Sequence, residues 1–195
     1  MDSDTRRVLE AELRRRFDAG DLDAAMAHAV EHYGPELFGF LVGLARDHDR
    51  ASDVFGQVCE RMWRGLKTFR WESSFRVWMY AVARNEYLRS TRRDKKAKRE
   101  VPLSKVPSLS GAIDKVRTST PVYMRTDIKD AFAKIREELP PEDHMLLGLR
   151  LDRKMAWNDI ARVLGSGDPA HLARDAAMLR KRYERLKERL RDLLQ

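Results

Sequence analysis

The sequence predicts an all-α protein, and three observations carry that prediction. Apolar residues recur at steps of three and four along most of the 195-residue chain, with no convincing strand. Only 10 glycines and 7 prolines are present, too few for a turn-dense β fold. Hydrophobic residues make up 43% and charged residues 36%, so a core can form beneath a heavily charged surface. This length has room for one ordinary domain or two small helical ones.

The elements follow in order. Residues 4–18 read as a short charged helix with a thin apolar face of Val8, Leu9, Leu13 and Phe17. "DAGD" at 18–21 breaks it, and Asp21 caps a second helix carrying Leu22, Ala25, Met26 and Ala29. From Pro35 a stronger stripe begins, with Leu37, Phe38, Leu41, Leu44 and Ala45. "RDHDRAS" ends it, and the next helix turns Val54, Phe55, Val58, Cys59, Met62, Trp63 and Leu66 to the same interior. An aromatic-rich helix spans roughly 74–92. From 92 to about 125 the period is lost among Ser, Thr and Pro, after a basic run RRDKKAKR, so this stretch reads as a linker. About 30 residues without structure are more natural between two domains than inside one.

A second module begins near Thr126, with Ile128, Ala131, Phe132 and Ile135 on one face. "LPPED" stops that helix and opens another, since proline suits a first turn. "DRKM" forms a polar turn, and "AWNDIARVLG" a short helix closed by Gly165. Asp168-Pro169 caps and opens a last helix. The expected division is 1–29 as an N-terminal helical extension, 30–95 as a first domain, 96–125 as linker and 126–195 as a second domain.

The formal net charge of +8 suggests a polyanionic partner, nucleic acid first and an anionic membrane surface second, although many soluble proteins are basic. The lone Cys59 cannot form an internal disulfide, which fits the reducing cytoplasm. The first residues lack the apolar stretch of a signal peptide, and no run approaches the ~20 apolar residues of a membrane span. Catalytic motifs such as GxxxxGK[ST], GxSxG and HExxH are missing, so no enzymatic activity and no cofactor are expected. His28 and His32 stand at i and i+4 without further ligands, so no metal site is expected. Asp47, Asp49 and Asp53 cluster at a helix start, where the helix dipole favours negative charge.

Two constellations carry binding chemistry. In the last helix Ala176, Leu179, Tyr183, Leu186, Leu190 and Leu193 form a narrow apolar seam surrounded by basic residues. Such a helix can grip duplex phosphates, although a solvated helix or a coiled coil has the same period. Between 67 and 96 Phe69, Trp71, Phe75, Trp78, Tyr80 and Tyr87 alternate with arginines. Rings stack unpaired bases while arginines hold the backbone, although any one ring reads equally as core. Arg76, Tyr80, Arg84 and Tyr87 are expected along one outward face, with Phe75, Met79 and Val82 turned inward.

The segments "SDVFGQVCERMWRGL" and "FRWESSFRVWMYAVARN", with the basic tail after them, resemble conserved region 2 of sigma-70-family factors of the small extracytoplasmic-function (ECF) type. "LPPEDHMLLGLRLDRKMAWNDIARVLG" and "MLRKRYERLKERLRDLL" resemble the start and closing helix of region 4. The resemblance implies a sigma factor that binds core RNA polymerase through its β and β′ subunits and recognises and opens promoter DNA. Asp53, Gln57, Arg61 and Trp63 would dock on the β′ coiled coil. Arg70, Trp71, Ser73, Ser74, Arg76, Tyr80, Arg84 and Tyr87 would read and melt the minus-10 element. The linker would thread toward the RNA exit channel, and region 4 would meet the β flap and the minus-35 element through Arg174, Arg180, Lys181, Arg182 and Arg185. An anti-sigma factor is a further partner of such proteins.

Two departures stand out. Gly56-Gln57 replaces a common Gln-Glu pair, and "SGDPAHLARDAA" intervenes before the recognition helix, lengthening either the turn or the helix. The rival readings are a polymerase-independent helix-turn-helix regulator and a helical adaptor. A base-stacking face argues against the first, and a stable complex with core polymerase would separate all three.

Overall fold

The computed structural model describes residues 2–93, 107–119 and 139–192. The basic run after Arg93, the helix expected through Ile128 and Ile135, and Leu193 lie outside these residues. All regular structure among the described residues is helical, in two compact units, Met1–Val122 and Tyr123–Gln195.

In the first unit α1 (Ser3–Asp18) is capped by Asp2, whose carboxylate accepts from the Thr5 amide at 2.8 Å. Leu9 and Leu13 are buried, but Val8 is 67% exposed, so the apolar face is narrower than expected. The stretch Leu22–Ala29 and the stripe from Pro35 belong to one helix, α2 (Leu22–Ala45), with Asp21 as its cap. A proline inside a helix costs about 3 kcal/mol. Here α2 is flanked by four other helices, and thirteen of its residues are buried, which offsets that cost. The acidic cluster is partly cap chemistry: Asp47 accepts from the Arg50 amide at 2.9 Å and starts α3 (His48–Leu66). Helix α4 (Phe75–Arg93) packs on α2 and α3.

The expectation of a structureless linker is corrected over α5 (Pro107–Ser119), a helix packed on α2. Leu109, Ile113 and Val116, spaced by four and three, are all buried. Gly34 of α2 lets the two helices meet closely, because a Cβ there would lie 2.7 Å from Val116 Cγ2. Arg117 donates to the Ser52 carbonyl at 2.8 Å, and Lys115 pairs with Glu31 at 3.1 Å.

The described part of the second unit begins with α6 (Pro141–Leu147), which continues through a π-helical turn, Gly148–Asp152. Lys154, at φ 51°, reverses the chain toward α7 (Trp157–Leu164). Gly165 ends α7 in an extended rather than a left-handed conformation, at φ −78° and ψ −164°. Its glycine is required for space, because a Cβ would lie 2.7 Å from Asp175 Oδ2 and still closer to the Ala161 carbonyl. The insert divides: Ser166–Asp168 lengthens the turn, while a 3-10 turn at Pro169–His171 leads into α8 (Leu172–Asp192). Asp168 caps that turn by accepting from the Ala170 amide at 2.9 Å. Ala176, Leu179, Tyr183, Leu186 and Leu190 form the buried seam of α8.

Candidate nucleic-acid interface

The amino end of α4 and the loop before it are built from three parts of the chain. Helix starts leave backbone N–H groups without intrahelical partners. In α4 the Phe75 and Arg76 amides donate to Glu10 of α1, at 2.8 and 3.0 Å. The Val77 amide donates to Ser74 Oγ at 3.2 Å, and the Trp78 amide to the Ser74 carbonyl at 3.2 Å. The expected DNA contact Ser74 is thus the local cap of α4, and the Ser73 hydroxyl donates to its carbonyl.

Trp71 stands in the left-handed region at φ 58°, strained for a bulky side chain. Its ring meets Phe17 edge-on at 5.6 Å between centroids, lies 5.0 Å from the Arg14 guanidinium and contacts Phe69 at 4.9 Å. The indole N–H is buried with no hydrogen-bond partner among the described residues. Phe69 stacks on Trp78 with centroids 4.7 Å apart and planes 22° from parallel. Arg61, Arg64, Thr68, Phe69, Arg70 and Trp78 line an open groove between the ends of α3 and α4. This surface offers ring faces and guanidinium groups together, the combination suited to unpaired bases and their phosphates.

The expected outward face of α4 is corrected. Arg76, Tyr80 and Tyr87 are buried, as are Phe75, Val77, Met79 and Ala83, because α4 is enclosed by α2 and α3. Arg76 pairs with Glu36 of α2, and Tyr80 donates to the same carboxylate at 2.7 Å. Tyr33 donates to Glu10 at 2.9 Å, and Tyr87 to the Leu44 carbonyl at 2.9 Å. Burial disfavours the Arg76 charge, yet Glu36 more than offsets it and holds the guanidinium above its ordinary pKa. Burial, then the Glu10 charge, pushes the Tyr33 phenol up; burial does the same to Tyr87. These groups are internal polar struts. Arg84 is half-buried, 3.4 Å from Asn85 Oδ1. Arg70, exposed beside Glu72, and the half-buried Trp71 remain at the surface of the loop.

On α3, Asp53 and Arg61 are exposed and Gln57 is half-buried, all on one side of the helix. Arg61 lies 3.5 Å from the buried Glu86 of α4. Trp63 faces elsewhere, its indole N–H donating to Asp23 of α2 at 2.8 Å. Gly56 is buried, so the surface there is shaped by its neighbours. Burial pushes the Cys59 thiol up to about 12, as expected for an inert core residue.

In the second unit, Arg174, Arg180, Lys181 and Arg185 are exposed along α8. Arg180 lies 5.6 Å from the Trp157 ring, which Arg150 covers at 4.8 Å. Arg182 is engaged internally, with Asp143 and Glu142 of α6. Asp175 reaches back to the turn, accepting from the Ser166 amide and hydroxyl at 2.7 Å each, bonds that hold its carboxyl below the usual range. Glu10, Glu36 and Asp143 escape sequence reasoning because each acts on a partner dozens of residues away.

No described helix is long and apolar enough to cross a membrane, and the described residues hold no group of three or more His, Cys, Asp or Glu able to bind a metal ion. Residues 29–97 match the family model of sigma-70 region 2. The chain is 24% identical over 161 residues to the RNA polymerase sigma-H factor of Pseudomonas aeruginosa, covering 80% of this chain and 82% of that one. It is 24% identical over 136 residues to the RNA polymerase sigma factor YlaC of Bacillus subtilis, covering 68% and 75%. The fold is similar to that of the sigma factor RpoE of Bartonella quintana, solved in complex with the anti-sigma factor NepR. That match has a TM-score of 0.56 and 20% identity, over 82% of this chain and 90% of the other. Residues 29–97, built around α2, α3 and α4, are thus a sigma-70 region 2 domain, and the chain is similar to sigma factors over most of its length.

Proposed function

We propose that this chain is a sigma-70-family factor of the ECF type that works in the cytoplasm, binds the β and β′ subunits of core RNA polymerase and directs promoter recognition and opening, with no catalytic activity of its own. The observation that supports the opening step is the groove where Phe69, Trp78 and Arg70 meet Arg64, with Trp71 packed against Phe69 behind it. Unpaired minus-10 bases stack there while the arginines neutralise phosphates. The side of α3 bearing Asp53, Gln57 and Arg61 is the docking surface for the β′ coiled coil. Trp63 braces α2 behind it. Helix α8 grips the minus-35 duplex through Arg174, Arg180, Lys181 and Arg185, while Arg182 holds α6 in place. An anti-sigma factor is a further candidate partner.

Run-off transcription with purified core polymerase, with permanganate footprinting of unpaired thymines, tests the proposal. The expected result is specific initiation and thymine reactivity that appear only when core and this protein are both present. Initiation no better than with core alone overturns it.

A further inference from the structure

Helix α1 meets the candidate opening loop through one face. Glu10, Arg14 and Phe17, spaced by four and three residues, line up along the helix. Arg14 and Phe17 hold the Trp71 ring, and Glu10 accepts the first two amides of α4. Ser74 supplies partners only for the next two amides, so the first turn of α4 depends on a carboxylate 65 residues away. Glu10 is itself held from the α2 side by the Tyr33 hydroxyl. Its negative charge lies where the α4 dipole favours an anion.

We propose that Glu10 is a positioning residue for promoter opening: its carboxylate fixes the amino end of α4, and with it the 69–74 loop, in the one geometry that receives unpaired bases. This role presupposes the sigma reading above. Glu10 does not touch DNA. Without its carboxylate the first turn of α4 frays and the loop samples many arrangements. Opening then suffers, while polymerase docking through α3 and duplex binding through α8 do not.

Glu10→Gln tests this with little change of shape, because the amide still offers one acceptor but turns an N–H toward the other donors. Glu12→Gln is the control on the same helix, since Glu12 is engaged by Arg15 and Arg16 of α1. Both are compared with wild type as full-length protein with core polymerase, on a duplex promoter and on the same promoter with a mismatched, pre-opened minus-10 bubble. On duplex DNA, Glu10→Gln should slow open-complex formation roughly tenfold, the scale of one lost hydrogen bond to a charged group. Affinity for core and closed-complex titrations should stay at wild-type values, and the bubble template should restore transcription. Opening of duplex DNA at the wild-type rate overturns the role. So does an equal loss on the bubble, or an equal loss in Glu12→Gln, because either marks a general defect of α1. A wild-type protein that initiates on neither template overturns the sigma reading and, with it, the role of Glu10.

Discussion

The two helices that face DNA in this reading, α4 and α8, begin in opposite ways. The start of α8 is organised by its own neighbourhood: Asp168 caps the 3-10 turn two residues on, and Asp175 reaches nine residues back to Ser166. The start of α4 is shared between Ser74 beside it and Glu10 on another helix. A locally capped helix keeps its geometry so long as its own turn is formed. A remotely capped one has its geometry set by how two helices pack, so anything that shifts α1 is felt at the loop that meets opened DNA.

The largest expected effect lies behind the remote cap. Glu36→Leu leaves the buried Arg76 guanidinium without its carboxylate, and removing one partner of a buried pair costs about 3–5 kcal/mol. Urea unfolding of the full chain should show that loss in the transition of the first unit. Glu10→Ala removes an acceptor of three donors and should cost about 2–3 kcal/mol, at roughly 1 kcal/mol per bond. Hydrogen exchange should then accelerate at Phe75 and Arg76 more than at Val77, which keeps Ser74. Asp168→Ala should cost only about 1 kcal/mol, the usual value of a single cap, with faster exchange confined to Ala170 and its neighbours. If Asp168→Ala loosened the whole second unit as Glu10→Ala loosens α4, the contrast between the two starts would collapse.

The smallest effect is a pH dependence. The Asp175 carboxyl is held below its ordinary value of 3.8 by the Ser166 amide and hydroxyl. Its contribution is therefore complete above the unfolded value and lost as pH falls through the lower folded value. The second unit should become less heat-stable from about pH 4 downward, and Asp175→Asn should flatten that dependence in thermal scans monitored by circular dichroism.

How much was legible in the sequence follows the same line between local and remote. Caps written beside their helices, at Asp21 and Asp168, were readable, and so was the seam of α8. The stripe from Pro35 was readable, but not that the chain runs through Pro35 as one helix, because the packing that outweighs the proline's local cost comes from four other helices. Helix α5 was hidden by its Ser and Thr content, although Leu109, Ile113 and Val116 carried the right spacing. In the candidate site, residue types were informative and directions were not. Arg76, Tyr80 and Tyr87 have the chemistry of base capture, but the helix that carries them is enclosed, so nothing in its own period tells inside from outside.

Because α5 is fastened to α2, Arg93 and Pro107 lie on the same body. A protease cut anywhere between 94 and 106 would therefore leave both new ends on the first unit, held together by the packing of Leu109, Ile113 and Val116 on α2, and would not release the second unit.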